Sequence, residues 1–175
     1  GKDFVMVHNS ADPKAVAVAL GRGAFEFQGQ KCSAASRAYV PRSIWKAVKE
    51  HLQADLKSMK MGTTEDFTNF INAVIDEKAF DKISGYINAA KNSDKVQIIA
   101  GGHYDKSQGF FIEPTVLEVE DPMYITMCEE IFGPVLTIYV YDDERYAETL
   151  DLLNGTSPYA LTGAIFDLLL DIYQA

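Results

Sequence analysis

Short runs of β-branched and aromatic residues alternate along this chain with longer runs in which apolar residues recur at helical spacing. The strongest β run is Val135–Tyr141, and residues 4–7, 36–40, 96–100 and 162–166 are further strand candidates. Strands separated by helices need crossover connections, which make neighbouring strands parallel and leave helices against the sheet. The sequence therefore predicts an α/β fold, a mainly parallel sheet with helices on both faces.

The helical runs have recognisable starts and stops. Asp12 is a predicted N-cap, because Pro13 follows at the first helical position, where its missing N–H is not needed. The predicted helices cover residues 13–24, 44–56, 80–90 and 143–153. Residues 110–119 are predicted to be extended, with Pro114 at an edge or a bend.

The size and charge of the chain limit its organisation and its partners. With 175 residues and 47% hydrophobic side chains, residues 1–175 are predicted to form a single domain. The net charge of -9 repels phosphate backbones and anionic membrane surfaces. We therefore expect neither a nucleic-acid partner nor a membrane partner.

The two cysteines, Cys32 and Cys128, have no C-x-x-C spacing, and the three histidines are scattered. This pattern predicts neither a zinc site nor a disulfide framework, so no metal is expected, and a reducing compartment fits best. None of His8, His51 and His103 has a sequence context that suggests a base paired with a cysteine, which disfavours a cysteine protease.

Cys32 lies in a segment suited to a nucleophile. Lys31 precedes it, Gly29 offers no side chain to block a ligand, and Ser33 follows as a small residue. A thiolate is favoured by nearby cations and backbone N–H donors, so Cys32 is predicted at the floor of a slot. The alternative is that Cys32 is an inert, small hydrophobic residue, as many free cysteines are.

Two separated motifs favour the catalytic interpretation. Phe25, Gly29, Gln30 and Cys32 have the spacing of the cysteine signature of the aldehyde dehydrogenase superfamily, which the chain resembles. Residues 129–135, Glu-Glu-Ile-Phe-Gly-Pro-Val, resemble the cofactor-side motif of the same superfamily.

Further similarity runs along most of the chain and is strongest to one branch, the Δ1-pyrroline-5-carboxylate (glutamate-γ-semialdehyde) dehydrogenases. It is carried by residues 1–4, 29–34, 39–41, 73–76, 109–114 and 159–164. The resemblance implies that the chain is part of the catalytic, cysteine-bearing domain. It also implies that the cofactor-binding domain and the C-terminal part of the catalytic domain lie outside these residues.

The resemblance implies NAD-dependent oxidation of L-glutamate γ-semialdehyde to L-glutamate in proline catabolism, through a thiohemiacetal and a thioester on Cys32. Glu130 would accept hydrogen bonds from the nicotinamide ribose, and Phe132 would pack beside the nicotinamide. Ser33 would bind the substrate carboxylate, and the alternative is that it is simply a small residue that fits beside Cys32. Gly1 and Lys2 would end a motif whose glutamate, the general base, lies three positions before Gly1. The residues themselves do not distinguish NAD from NADP.

Three other residues near these motifs are predicted to have no role in catalysis or binding. Lys82 is interpreted as a surface lysine although it falls near a cofactor-contact position of the family, Glu129 as a solvated charge, and Cys128 as structural.

The same resemblance implies a homo-oligomer that acts on a small-molecule aldehyde, in the mitochondrial matrix if the source is eukaryotic and in the cytoplasm otherwise. By itself the chain is expected to be inactive. Two alternatives stay open: a dehydrogenase for another aldehyde, and a catalytically silent interaction domain.

Overall fold

The computed structural model describes residues 1–168. Its helices are α1 (Pro13–Phe25), α2 (Arg42–Ser58), α3 (Glu77–Lys91), α4 (Ile125–Cys128) and α5 (Tyr146–Thr156). Its strands are β1 (Asp3–Val7), β2 (Ala35–Pro41), β3 (Val96–Ala100), β4 (Tyr104–Asp105), β5 (Phe111–Ile112), β6 (Thr115–Val119), β7 (Val135–Tyr141) and β8 (Gly163–Phe166). Residues 169–175 of the predicted domain lie outside the described part.

Six strands form one sheet in the order β3-β6-β7-β2-β1-β8. Every neighbouring pair is parallel except β3 and β6. These two are antiparallel because residues 101–114 return the chain without a helical crossover and instead form the small β4-β5 pair. The predicted mainly parallel sheet is confirmed.

Side chains of the central strands alternate between two apolar layers. On one face, Val40 of β2 lies in a core with Leu20 of α1 and with residues of α2. On the other face, its neighbour Tyr39 lies in a cluster with Leu153 of α5, and Leu117 of β6 lies in a cluster with α3. Because successive strand residues point to opposite faces, both faces need a cover, and the predicted helices on both faces are confirmed.

Several boundaries agree with the sequence and others differ. The carboxylate of Asp12 accepts a hydrogen bond from the Ala15 amide at 2.7 Å, and Pro13 begins α1, as predicted. The predicted extended run 110–119 is two strands, β5 and β6, separated at Pro114. The predicted helix 143–153 begins as a 3-10 turn, Asp143–Arg145, and continues as α5.

The N-terminal ends of β1, β2 and β7 lie along one edge of the sheet. Asp3 pairs with Ala35, and Arg37 pairs with Thr137. In parallel strands the segments that enter the strands share an edge, so residues 1–2, the cysteine segment and the 130–134 turn meet there. Within residues 1–168, none of the helices has the length and apolar character needed to cross a membrane.

Candidate active site

The chain between α1 and β2 forms the cysteine loop, residues 26–34. Its first turn has three successive residues in the left-handed region: Phe27 at φ 54°, Gln28 at 56° and Gly29 at 66°. This conformation costs a residue with a side chain on the order of 1–2 kcal/mol, so Phe27 and Gln28 are strained. Such strain persists only where the surroundings over-determine the backbone, as they often do at functional sites.

Two glutamine side chains hold this turn against the loop that precedes α3. The Gln28 side-chain oxygen accepts a hydrogen bond from the Asn72 amide at 3.1 Å, and that of Gln30 accepts one from the Ile75 amide at 2.9 Å. Gln28 is buried, so its hydrogen bond is made in a site from which water is largely excluded. These bonds offset the strain of the turn.

Gly29 brings the cysteine loop into direct contact with the second motif. A Cβ on Gly29 would lie 2.3 Å from the carbonyl oxygen of Gly133 and 2.8 Å from that of Ala24. No larger residue fits there, and the φ of 66° also favours glycine. The two motifs, about a hundred residues apart in sequence, are therefore in contact in the fold.

Cys32 and Ser33 are exposed within the described residues, rather than at the floor of a slot as the sequence suggests. The Lys31 ammonium donates to a carboxylate oxygen of Glu26 at 2.7 Å, so this cation has a carboxylate partner of its own. The α-carbon of Gly1 lies against the other side of the loop, since a Cβ there would be 2.2 Å from the Cys32 carbonyl oxygen.

The 129–133 segment enters β7 beside the cysteine loop. The terminal ammonium group of Gly1 donates to a carboxylate oxygen of Glu130 and forms an ion pair with it, which places that side chain near the cysteine loop. Ile131 is buried, whereas Phe132 has a φ of 60° and is 44% exposed. An exposed aromatic side chain held in a strained backbone suits a ligand-contacting role better than a role in the core.

Lys2 and Asp3 are buried, although both are charged and stand near the start of the chain. The Lys2 ammonium donates to the Ser36 hydroxyl at 2.7 Å. Burial, with a contribution from the nearby Arg37 cation, lowers the pKa of Lys2 to about 7. Arg37 in turn donates to the Lys2 carbonyl at 3.0 Å. The start of β1 is thereby fixed to β2 directly beneath the cysteine loop.

Asp3 fixes the other side of β1. One of its carboxylate oxygens accepts from the amides of Leu161 and Thr162, at 2.7 and 2.9 Å, just before β8. No hydrophobic periodicity marks a buried charge of this kind. The only signal in the sequence is that two charged residues stand immediately before an apolar strand.

Lys82 and Cys128 also have defined partners. The Lys82 ammonium donates to the Glu130 carbonyl at 2.8 Å, so this exposed lysine contacts the second motif instead of extending into solvent alone. The Cys128 thiol donates to the Met123 carbonyl at 3.3 Å, and burial raises its pKa. That environment suits the structural role predicted for Cys128.

Within residues 1–168, the structure contains no group of three or more His, Cys, Asp or Glu side chains placed to hold a metal ion. His8 follows β1 at the opposite end of the strand from Gly1, and its Nδ1 lies 2.8 Å from the Ser10 hydroxyl. His8 is therefore far along the sheet from the edge where Cys32 lies.

Comparison with known proteins assigns this arrangement to a family. The sequence model of the aldehyde dehydrogenase family matches residues 1–168. The chain belongs to the aldehyde dehydrogenase family. The family resemblance predicted from the two motifs is confirmed.

Individual relatives share the branch suggested by the sequence. A mitochondrial Δ1-pyrroline-5-carboxylate dehydrogenase of Dictyostelium discoideum is 55% identical over 166 residues, which are 95% of this chain and 30% of the relative. The human protein of the same name is 47% identical, over 99% of this chain and 31% of its own length. The chain thus spans about a third of the length of the curated relatives it matches.

Solved structures of aldehyde dehydrogenases have the same fold. The crystal structure of the Δ1-pyrroline-5-carboxylate dehydrogenase from Mycobacterium tuberculosis bound with NAD superposes with a TM-score of 0.88 at 42% identity. The match covers 98% of this chain and 31% of that structure.

Proposed function

We propose that this chain is the cysteine-bearing part of the catalytic domain of an NAD-dependent enzyme that oxidises L-glutamate γ-semialdehyde to L-glutamate. The observation that carries the proposal is the contact of Gly29 with the Gly133 carbonyl. It brings Cys32 and Glu130 to one edge of the sheet, as a reaction between a cysteine-bound substrate and a nicotinamide requires. The names of the relatives from Dictyostelium discoideum, human and Mycobacterium tuberculosis support the substrate.

Cys32 supplies the nucleophile in this proposal. Its thiolate sulfur forms a bond to the aldehyde carbon while the carbonyl electron pair moves to oxygen, which gives a thiohemiacetal. The backbone N–H of Cys32 donates to that oxygen and stabilises its developing negative charge. NAD, when bound, supplies the acceptor for the hydride that leaves the same carbon. Loss of hydride leaves a thioester on Cys32, and water hydrolyses it to L-glutamate and the free thiol.

Three further residues have proposed binding roles. A carboxylate only accepts hydrogen bonds, so Glu130 is suited to hold the two vicinal hydroxyls of the nicotinamide ribose. The exposed ring of Phe132 offers a surface for the nicotinamide, and the exposed hydroxyl of Ser33 offers a donor for the substrate carboxylate. Glu130 and Phe132 therefore fit the nicotinamide riboside end of NAD. Most contacts to the rest of the cofactor would come from other parts of a longer protein.

The assembled enzyme is proposed to be a homo-oligomer, as the family resemblance implies. The mitochondrial names of the Dictyostelium discoideum and human relatives support a mitochondrial location for a eukaryotic source.

The proposal is tested in a chimera in which this chain replaces the matching segment of the Dictyostelium discoideum relative. The chimera should reduce NAD in the presence of glutamate semialdehyde, Cys32→Ala should abolish this activity, and Cys32→Ser should leave at most a trace. Cys128→Ser is the matched control and should retain activity. Substantial turnover by the Cys32→Ala chimera would refute the assignment.

A further inference from the structure

One face of α3 lies against the 129–133 segment and contacts it at three points. The Tyr86 hydroxyl donates to a carboxylate oxygen of Glu129. The Lys82 ammonium donates to the Glu130 carbonyl at 2.8 Å. Between them, the side chain of Ile83 fills the space beside Gly133, where a Cβ would lie 2.4 Å from its terminal carbon. Residues 82, 83 and 86 share one helix face because side chains three and four positions apart are neighbours.

Glu129 is thus more than the solvated charge expected from the sequence. Its carboxylate is exposed, yet it accepts the hydrogen bond from Tyr86. Burial, together with the bond to Glu129, raises the pKa of Tyr86 to about 12. The Tyr86 hydroxyl therefore stays protonated and remains a donor throughout the neutral range.

The backbone transmits the position of Glu129 to Glu130. Glu129 is extended, with φ -96° and ψ 145°, and in extended backbone successive side chains point in opposite directions. Glu129 accordingly points towards α3, while Glu130 points towards Gly1 and the cysteine loop. Because the two residues share a peptide unit, a change in the Glu129 backbone that carries its side chain away from Tyr86 would also change the direction in which Glu130 points.

We propose that Tyr86 is a positioning residue: through its hydrogen bond to Glu129, it holds the Glu130 carboxylate at the nicotinamide ribose. This inference rests on the proposed function of Glu130. Lys82 assists from the preceding turn of α3 by holding the Glu130 carbonyl.

The test compares two tyrosine variants in the chimera defined above. Tyr86→Phe keeps the ring but removes the hydroxyl that reaches Glu129. Tyr104→Phe is the matched control, because its hydroxyl donates to Asn88 on the same helix at 2.6 Å, whereas the Tyr86 hydroxyl donates to Glu129. Tyr86→Phe should slow hydride transfer about 2- to 10-fold, measured by single-turnover kinetics, with the Kd for NAD nearly unchanged. Tyr104→Phe should change neither quantity.

Two further variants separate this inference from the proposed function. In a Glu129→Ala background, Tyr86→Phe should have no additional effect, because the acceptor is already gone. Glu130→Gln should slow hydride transfer whether or not Tyr86 has a role. If Glu130→Gln is slow but Tyr86→Phe matches Tyr104→Phe, the inference on Tyr86 is wrong and the role of Glu130 stands. If Glu130→Gln is as fast as the unmodified chimera, both are wrong.

Hydrogen exchange on this chain tests the role of Tyr86 without catalysis. It therefore applies even if the chimera is inactive. The Glu129 amide donates to the Ile125 carbonyl at 2.9 Å. Tyr86→Phe should accelerate exchange in a peptide covering residues 128–134 and leave the peptides of α1 and β2 unchanged. Equal exchange in the Tyr86→Phe and Tyr104→Phe chains would overturn the proposal.

Discussion

Replacing Gly29 by alanine tests the contact that joins the two motifs. The new Cβ would lie 2.3 Å from the Gly133 carbonyl oxygen and 2.8 Å from that of Ala24, so the backbone segments must separate. Overpacking of this kind costs about 1–3 kcal/mol. The left-handed φ of 66° adds about 1–2 kcal/mol for a residue with a side chain. Alanine also lowers the entropy of the unfolded chain, which offsets about 0.4–1 kcal/mol, so the net loss of stability is about 1–4.5 kcal/mol.

Urea denaturation of this chain measures that loss as a change in the free energy of unfolding. Gly85→Ala is the matched control, because Gly85 lies in α3 and a Cβ there would meet nothing within 4 Å. In that helical position alanine should stabilise the chain by about 0.5–1 kcal/mol. The two alanine variants should therefore shift the unfolding midpoint in opposite directions. A Gly29→Ala chain within about 0.5 kcal/mol of the unmodified chain would refute the close contact.

Four other predictions concern the charges and thiols of the site. Lys2 has a pKa lowered to about 7 in the fold against 10.5 as its ordinary value, so between pH 7 and 10 the unfolded chain binds more protons than the folded chain. The free energy of unfolding of the unmodified chain should therefore rise with pH relative to that of Lys2→Met, by up to about 1.4 kcal/mol per pH unit; parallel pH profiles in urea titrations would contradict this. Iodoacetamide should label the exposed Cys32 of the folded chain before Cys128, as peptide mass spectrometry would reveal, and the reverse order would be evidence against a reactive Cys32. Glu130→Gln in the chimera should slow hydride transfer to NAD more than it weakens NAD binding, by a free energy of activation on the order of 1.5–3 kcal/mol; single-turnover kinetics with deuterated aldehyde would detect it. The chain by itself should form no NADH from glutamate semialdehyde and NAD, and Cys32-dependent NADH beyond one equivalent would show that it is a complete catalyst.

The local sequence was sufficient for most of the secondary structure. Asp12 and Pro13 predict the start of α1 because capping depends only on neighbouring backbone groups. The β-branched and aromatic run at Val135–Tyr141 predicts β7 with its observed bounds. Helix α2 follows from apolar residues recurring every fourth position, and strands separated by helices predict the mainly parallel sheet. The two motifs also indicated the family, since their order and spacing are properties of the sequence itself.

What the sequence by itself could not provide was the contacts between distant segments. Nothing local marks Lys2 as buried, because its burial depends on β2 covering it from 34 residues away. The left-handed turn at Phe27 is likewise imposed from outside, by hydrogen bonds to the loop before α3 and by the approach of Gly133 to Gly29. The Tyr86 hydroxyl donates to Glu129 only because α3 packs against the segment that enters β7. Propensity and periodicity act over a few residues, whereas the parallel register of the sheet decides which segments meet at its edge.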